Sequence, residues 1–362
     1  MNASLPHLLD YDASRLTEHF KSIGEPGFRA KQVLEWVYQR GATSFEQMTN
    51  LSKGLRELLA GGFDVYTSEI ARRAASTDGT VKLLLQWPDQ ATSECVMIPS
   101  EERRTACISS QVGCPVGCRF CASGVGGVER NLSAGEIVEQ VLRVSAEAVA
   151  SGARLSNVVF MGLGEPLANY DNVMAAVRTI NAPWGMNIGA RKITISTVGL
   201  PKQIRRMAEE GLQLNLALSL HAPTDALRAE LIPWAEKIGI SDITAACRYY
   251  FEKTGREITL EYILLDRVND RKEHAVQLAR FCKKLRCNVN LIRYNPVADL
   301  PYERPTSQAS AAFQKYLREH GVNSHIRTSR GLDIDAACGQ LRRKELQQRE
   351  AVPLTVSANS DA

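Results

Sequence analysis

The chain has no apolar run of about 18 residues and no apolar h-region near its start. Membrane spanning and secretion are therefore not expected, and a cytoplasmic location is. It has no short internal repeat. It has no strong charge of one sign either: a net +4 over 362 residues points only weakly to nucleic acid, because a basic face matters more than the total. Nine cysteines without a signal segment indicate a reducing compartment, and metal or catalytic thiols rather than a disulfide framework. The most informative absence is a fourth ligand. Cys114, Cys118 and Cys121 form a C-x3-C-x2-C pattern, and no further Cys or His follows until His221.

Three thiolates can hold three irons of a [4Fe–4S] cluster, whose full set is four cysteines. The fourth iron is then open to a ligand that is not protein. A zinc site more often closes with a fourth nearby Cys or His. On spacing alone, a zinc knot completed from a distance and a redox pair at Cys118 and Cys121 stay open as alternatives.

An apolar content of 44% supports a sizeable core, one large domain plus a small one. Residues 12–60 read as helices, with Asp12 or Ser14 capping the first and Ser52 the third. Residues 80–87 and 93–99 read as strands. From there strands and helices alternate: strands at 105–110, 157–161, 192–196, 214–220, 258–264, 289–293 and 324–328, helices near 134–149, 171–181, 201–210, 241–253, 272–285 and 307–320. Ser133 with Glu136 gives a capping box for the first of these helices. Repeated βα units imply a parallel sheet. Too few units for a closed eightfold barrel leave a partial (βα)6 TIM-like barrel, with its site at the C-terminal strand ends. The expected division is a helical accessory domain at 1–75, a β-extension at 76–99, a core with its C-terminal cysteine segment at 100–344, and a disordered polar tail at 345–362.

Several polar residues fall at those strand ends. Gly164 and Glu165 close the second strand of the core in Met161-Gly162-Leu163-Gly164-Glu165-Pro166. Ser196 ends the next, Ser219-Leu220-His221 the one after, and Asn295 follows a later one. Each has a bland reading by itself: a turn glycine, a structural His, an Asn before Pro. Together they ring one mouth. Cys338 lies among small residues near the C-terminus, and Cys107 precedes the three-cysteine loop. Cys95, Cys247, Cys282 and Cys287 read as structural. Glu94, on a strand before the loop, reads from pattern alone as a solvated charge.

Cys-Pro-Val-Gly-Cys-Arg-Phe-Cys (114–121) resembles the cluster loop of radical S-adenosylmethionine (SAM) enzymes. The wider set resembles the radical SAM adenosine methyltransferases of 23S ribosomal RNA, over about residues 12–344. Cys107-Ile-Ser-Ser-Gln-Val-Gly-Cys114 and Arg330-Gly-Leu-Asp-Ile-Asp-Ala-Ala-Cys338-Gly-Gln-Leu341 carry the likeness most specifically. Arg330-Gly331 and Gly164-Glu165-Pro166-Leu167 look more like the C2-specific branch, which also acts on transfer RNA. Leu291–Asn295 also looks like the C8-specific branch. Ile232-Pro233-Trp234-Ala235-Glu236 departs from the Pro-Ile-Asn stretch usual in the family.

The resemblance implies a radical SAM barrel in which Cys114, Cys118 and Cys121 hold the cluster. It places Gly164, Glu165, Ser196, Ser219, Leu220, His221 and Asn295 around SAM, with Phe120 near the adenine. It implies two SAM per turnover. One methylates Cys338; the other yields a 5′-deoxyadenosyl radical that activates the methyl group. The methylene radical joins adenine C2 to Cys338, Glu94 takes the ring proton, and Cys107 releases the product by forming a disulfide. The implied partners are 23S ribosomal RNA and transfer RNA, an external electron donor and a thiol reductant, with no membrane and a monomeric chain. The alternatives are C8 methylation, or a metal-stabilised RNA-binding protein without enzymatic activity. Arg72, Arg73, Arg103, Arg104, Lys283, Lys284 and Arg286 are available for phosphates, with the N-terminal helical domain as a further RNA grip.

Overall fold

A computed structural model describes residues 5–297 and 300–334. The chain opens with three helices, α1 (Ala13–Ser22), α2 (Phe28–Tyr38) and α3 (Lys53–Gly62). Asp12 caps α1 by accepting from Arg15 N at 2.8 Å, and Ser52 caps α3 by accepting from Leu55 N at 3.3 Å. Leu16, Phe20, Val33, Val37 and Leu59 bury the facing stripes, the apolar period of amphipathic helices.

Four strands follow: β1 (Glu69–Ala75), β2 (Val81–Gln86), β3 (Thr92–Pro99) and β4 (Arg104–Cys107). Next come a small two-stranded sheet, β5 (Gln111–Gly113) with β6 (Val128–Asn131), and α4 (Ala134–Ala150). The alternating part runs β7 (Asn157–Phe160), α5 (Tyr170–Asn181), β8 (Ile193–Thr197), α6 (Pro201–Ala208) and β9 (Asn215–Ser219). After α7 (Asp225–Leu231) and α8 (Ile240–Thr254) come β10 (Ile258–Leu264), α9 (Lys272–Cys282), β11 (Cys287–Arg293), α10 (Ser307–Glu319) and β12 (Ser324–Ile326).

The main sheet has ten strands in the order β1-β2-β3-β4-β7-β8-β9-β10-β11-β12. From β4 onward the pairs are parallel. Each crossover carries a helix, which gives six βα units and a partial barrel. β1 to β4 pair antiparallel and extend the sheet on its first edge. Three strands, and the short helix α7, escaped the sequence reading. β1 (EIARRAA) is largely exposed and shows no period of two. β5 and β6 have three and four residues, too short to carry a pattern.

Side chains alternate faces along each strand. Leu83, Leu85, Cys95, Met97, Ala106, Val158 and Ile195 join the core against the helices. The register then puts Lys82, Glu94, Cys107, Ser196, Ser219 and Glu261 on the opposite, concave face. A polar face in the middle of a buried sheet needs a reason, and it surrounds the strand ends where a site is expected.

The helical N-terminal part docks on α4. Glu139, fully buried, accepts from the backbone N–H of Thr67 and Ser68 at 2.9 and 3.1 Å and pairs with Arg143 at 3.0 Å. Asp10 accepts from Gly135 N at 2.6 Å. A Cβ at Gly135 would lie 2.7 Å from His7 Nδ1, so only glycine permits this approach. Ser133 and Glu136 form the expected capping box. Among the described residues no helix is long and apolar enough to cross a membrane.

Candidate active site

The three-cysteine loop leaves the small sheet at Gly113 and re-enters it at Val128. Cys114 N–H donates to Gly127 O at 2.9 Å. Gly113 has φ +80, and a Cβ there would come 2.1 Å from Gly127 O. Glycine is thus required by both backbone sign and space. Cys121 N–H donates to Cys118 O at 3.1 Å, and Arg119 N–H donates to Leu231 O at 3.0 Å, tying the loop to the end of α7. The atypical stretch at 232–236 falls mostly within a 3₁₀ turn here, Pro233–Lys237. Its Ala235, with Ile232, Phe120 and Val116, forms a second apolar cluster against which all three cysteines pack.

Cys114, Cys118 and Cys121 are free thiols, partly buried. Burial pushes Cys114 up to about 12 and Cys118 well above its ordinary value. Cys121 and Cys114 raise Cys118 further, so the thiols are electrostatic neighbours. Among the described residues no three Cys, His, Asp or Glu groups gather tightly enough for a single metal ion. A cuboidal cluster spreads its thiolates over separate corners, wider than the ligands of one tetrahedral ion. The donor set, all sulfur and open at one position, fits an iron–sulfur cluster, whose binding would replace the three protons. Arg228 is the nearby counter-charge that sequence reasoning missed. It is 1% exposed, donates to Val198 O and to Leu220 O, and favours the Cys118 thiolate.

Glu165, Ser196 and Ser219 sit at the neighbouring ends of β7, β8 and β9. Gly164 has φ +100, and a Cβ would lie 2.7 Å from Ser110 Oγ. Glu165 is buried; its carboxylate accepts from Leu167 N at 3.0 Å and Val198 N at 2.9 Å. Burial pushes it up to about 7 against those bonds. It thereby stitches the end of β7 to the end of β8. Ser196 Oγ and Ser219 Oγ are 3.3 Å apart. Leu220 is fully buried.

His221 has φ +57, and its Nδ1 accepts from Ile263 N at 3.1 Å. Burial, with Arg228 adding to it, lowers it to about 3, so the ring is neutral. It meets Phe120 edge-on at 5.0 Å. Asn269, fully buried and overlooked in the sequence, holds this corner by donating to His221 O at 2.8 Å and accepting from Leu265 N at 2.8 Å. Asn295 Oδ1 accepts from Ser329 Oγ at 3.5 Å.

Glu94 is not the solvated charge that pattern alone gives. It is 4% exposed and lies 3.9 Å from the fully buried Lys82. Cys107 is close by on the same face: its thiol is pushed up to about 11 by burial, and Arg327, Lys82 and Glu94 all act on it. Arg327, just past β12, stands 3.6 Å from Glu261, whose carboxyl burial pushes up. Cys338 lies outside the described residues. Cys95 and Cys247 are buried in the main core as expected. Of the candidate phosphate contacts, Arg73 is instead paired with Glu147 at 2.8 Å.

Residues 6–65 match the ribosomal RNA large subunit methyltransferase N-terminal domain, and residues 108–279 match the radical SAM superfamily. The chain is 49% identical over 339 residues to a probable dual-specificity RNA methyltransferase RlmN of Thermosynechococcus vestitus, covering 94% of this chain and 99% of that one. The chain belongs to the RlmN family of radical SAM RNA methyltransferases. A second RlmN, from Geobacillus kaustophilus, is 45% identical over 344 residues, covering 95% and 94% of the two chains. The crystal structure of a radical SAM methyltransferase from Sphaerobacter thermophilus superposes with a TM-score of 0.91 at 43% identity, covering 92% of this chain and 98% of that one. The RlmN likeness thus spans both the helical N-terminal part and the barrel.

Proposed function

We propose that the protein methylates C2 of adenosine in 23S ribosomal RNA and in transfer RNA, with a [4Fe–4S] cluster on Cys114, Cys118 and Cys121 and two SAM per turnover. The observation that carries this reading is the shared concave face of Glu94 and Cys107, on the strands that lead into the three-cysteine loop, in a chain of the RlmN family. Gly164, Glu165, Ser196, Ser219, Leu220, His221 and Asn295 are read as the SAM contacts. When bound, cluster and SAM supply the one-electron chemistry needed to activate an unreactive C–H bond.

The chain's own residues do the rest. Cys338, as a thiolate, first takes a methyl group by polar displacement, and it later carries the methylene bonded to the adenine ring. Glu94 removes the ring proton, and the one electron that the adduct must also lose to become aromatic again would return to the cluster. Cys107, as a thiolate, then attacks the Cys338 sulfur. An S–S bond forms, the sulfur–carbon bond breaks, and its electron pair stays on the departing carbon, which takes up a proton to become the product methyl group. An external electron donor serves the cluster, and a thiol reductant returns Cys107 and Cys338 to thiols. The enzyme is read as a cytoplasmic monomer.

The test is anaerobic incubation of reconstituted enzyme with SAM, reductant and a 23S ribosomal RNA fragment or transfer RNA, followed by digestion and mass spectrometry. 2-Methyladenosine from both RNAs is expected. 8-Methyladenosine would assign the chain to the C8 branch, and absence of any methylated base would overturn the reading.

A further inference from the structure

Lys82 is a buried charge that the chemistry above leaves unused. It is fully buried, and its Nζ stands 3.9 Å from Glu94 Oε2. That separation is a charge pair rather than a direct hydrogen bond. Taking an ammonium out of water is costly unless its charge is balanced. The residues that follow it on β2, Leu83, Leu84 and Leu85, are all buried without that cost. The register sets Lys82 opposite Val96, and Val96 opposite Cys107. Lys82 therefore sits among the two groups that must lose or gain a proton late in the cycle. Its charge favours the Cys107 thiolate, while that of Glu94 opposes it.

We infer that Lys82 is a positioning residue shared by Glu94 and Cys107, keeping Glu94 ionised until the ring proton arrives and favouring the Cys107 thiolate afterwards. The inference rests on the roles proposed for those two residues. Before proton transfer, Lys82 and Glu94 offset each other. Without that positive charge a carboxylate in this interior is shifted toward its neutral form, which can accept no proton. Once Glu94 takes the ring proton, its opposing charge is gone. Lys82 then acts on Cys107 together with Arg327, and the thiol proton leaves to water at the mouth, where Cys107 is partly exposed. Attack on Cys338 is thereby ordered after deprotonation of the ring.

The test reads Cys107 directly, in the cluster-loaded protein without RNA, by its alkylation rate with iodoacetamide and peptide mass spectrometry. Glu94→Gln should speed alkylation by roughly tenfold, because Lys82 then acts on Cys107 without the opposing carboxylate, and Lys82→Met, in which Glu94 goes neutral, should not speed it. Lys82→Arg should stay near the parent rate, and the double variant Lys82→Met/Glu94→Gln should return toward it. Loosened packing alone would speed both single variants. Equal rates throughout, or acceleration by both, would overturn the inference. A separate arm keeps the proposed function distinguishable: if Cys107→Ala traps no RNA–protein adduct, the resolving role fails whatever the alkylation rates. In full turnover Lys82→Met should accumulate the adduct, and release of methylated RNA at the parent rate would also overturn the inference.

Discussion

The backbone N–H of Gly331 donates to Asp78 Oδ2 at 2.9 Å. The two residues come from opposite edges of the sheet: Gly331 follows β12, and Asp78 sits in the turn between β1 and β2. Asp333 adds a bond from Thr77 N at 3.1 Å and one from Ser76 Oγ at 2.5 Å. The segment leading to Cys338 is thus anchored on the hairpin beside β3, the strand that bears Glu94.

This clasp should matter for methyl transfer rather than for folding. Asp78→Ala removes an acceptor at the surface, so stability should change by about 1 kcal/mol or less. Methylation rate should fall several-fold. Burial works against the Asp78 carboxylate, but hydrogen bonds from Thr80, Gly331 and Ser76 outweigh it and hold its pKa well below the usual carboxylate range. The clasp therefore persists across neutral pH, and its contribution is lost only as pH falls through that depressed value. Rate and thermal midpoint of the variant check both statements; an unchanged rate would dismiss the clasp.

Gly113→Ala should damage the cluster loop selectively. The new Cβ would meet Gly127 O, and the positive φ adds about 1–2 kcal/mol of strain. Iron and sulfide content after anaerobic reconstitution should drop sharply while far-UV circular dichroism stays near the parent spectrum. Full iron content would contradict the account of the loop. Replacing any of Cys114, Cys118 or Cys121 by Ala should remove both iron and SAM cleavage.

Cys107→Ala should stall as an RNA–protein adduct, because no thiol remains to attack Cys338. Cys338→Ala should give neither adduct nor product. Denaturing gels separate the outcomes, and free methylated RNA from Cys107→Ala would refute the resolving role.

His221 gives a pH test of packing. Its folded pKa is lowered to about 3, first by burial and then by Arg228. Below the unfolded pKa of about 6.5 the unfolded chain binds a proton that the folded one does not. Stability from this group is full above that pH and declines as pH falls toward 3. Between pH 7 and pH 5 the urea midpoint should drop more for the parent than for His221→Gln. Equal drops would show that His221 is not held neutral.

Much of this arrangement was legible in the sequence. The βα alternation fixed the parallel strands β4 and β7 to β12, because Ile258–Leu264 and its neighbours carry apolar runs bounded by turns. The cysteine loop and the polar strand ends were legible as motifs. The charges that tune them were not. Lys82, Arg228, Glu261 and Arg327 each look like surface residues in one dimension, since a single charged side chain carries no period. Only register reveals that Lys82 and Glu94 share the concave face with Cys107. Asn269 was hidden for the same reason, as an ordinary turn residue before Asp270. The short strands β5 and β6 depend on each other rather than on local preference, so nothing local announced them.

The most direct test of the central claim uses RNA deuterated at adenine C2. Methylation at C2 requires Glu94 to remove that isotope, so the product adenosine should have lost it. Glu94→Gln, which keeps the shape but not the basic carboxylate, should slow that loss by about a hundredfold or more. Methylated product that retains the C2 deuterium, formed at the parent rate, would contradict the account.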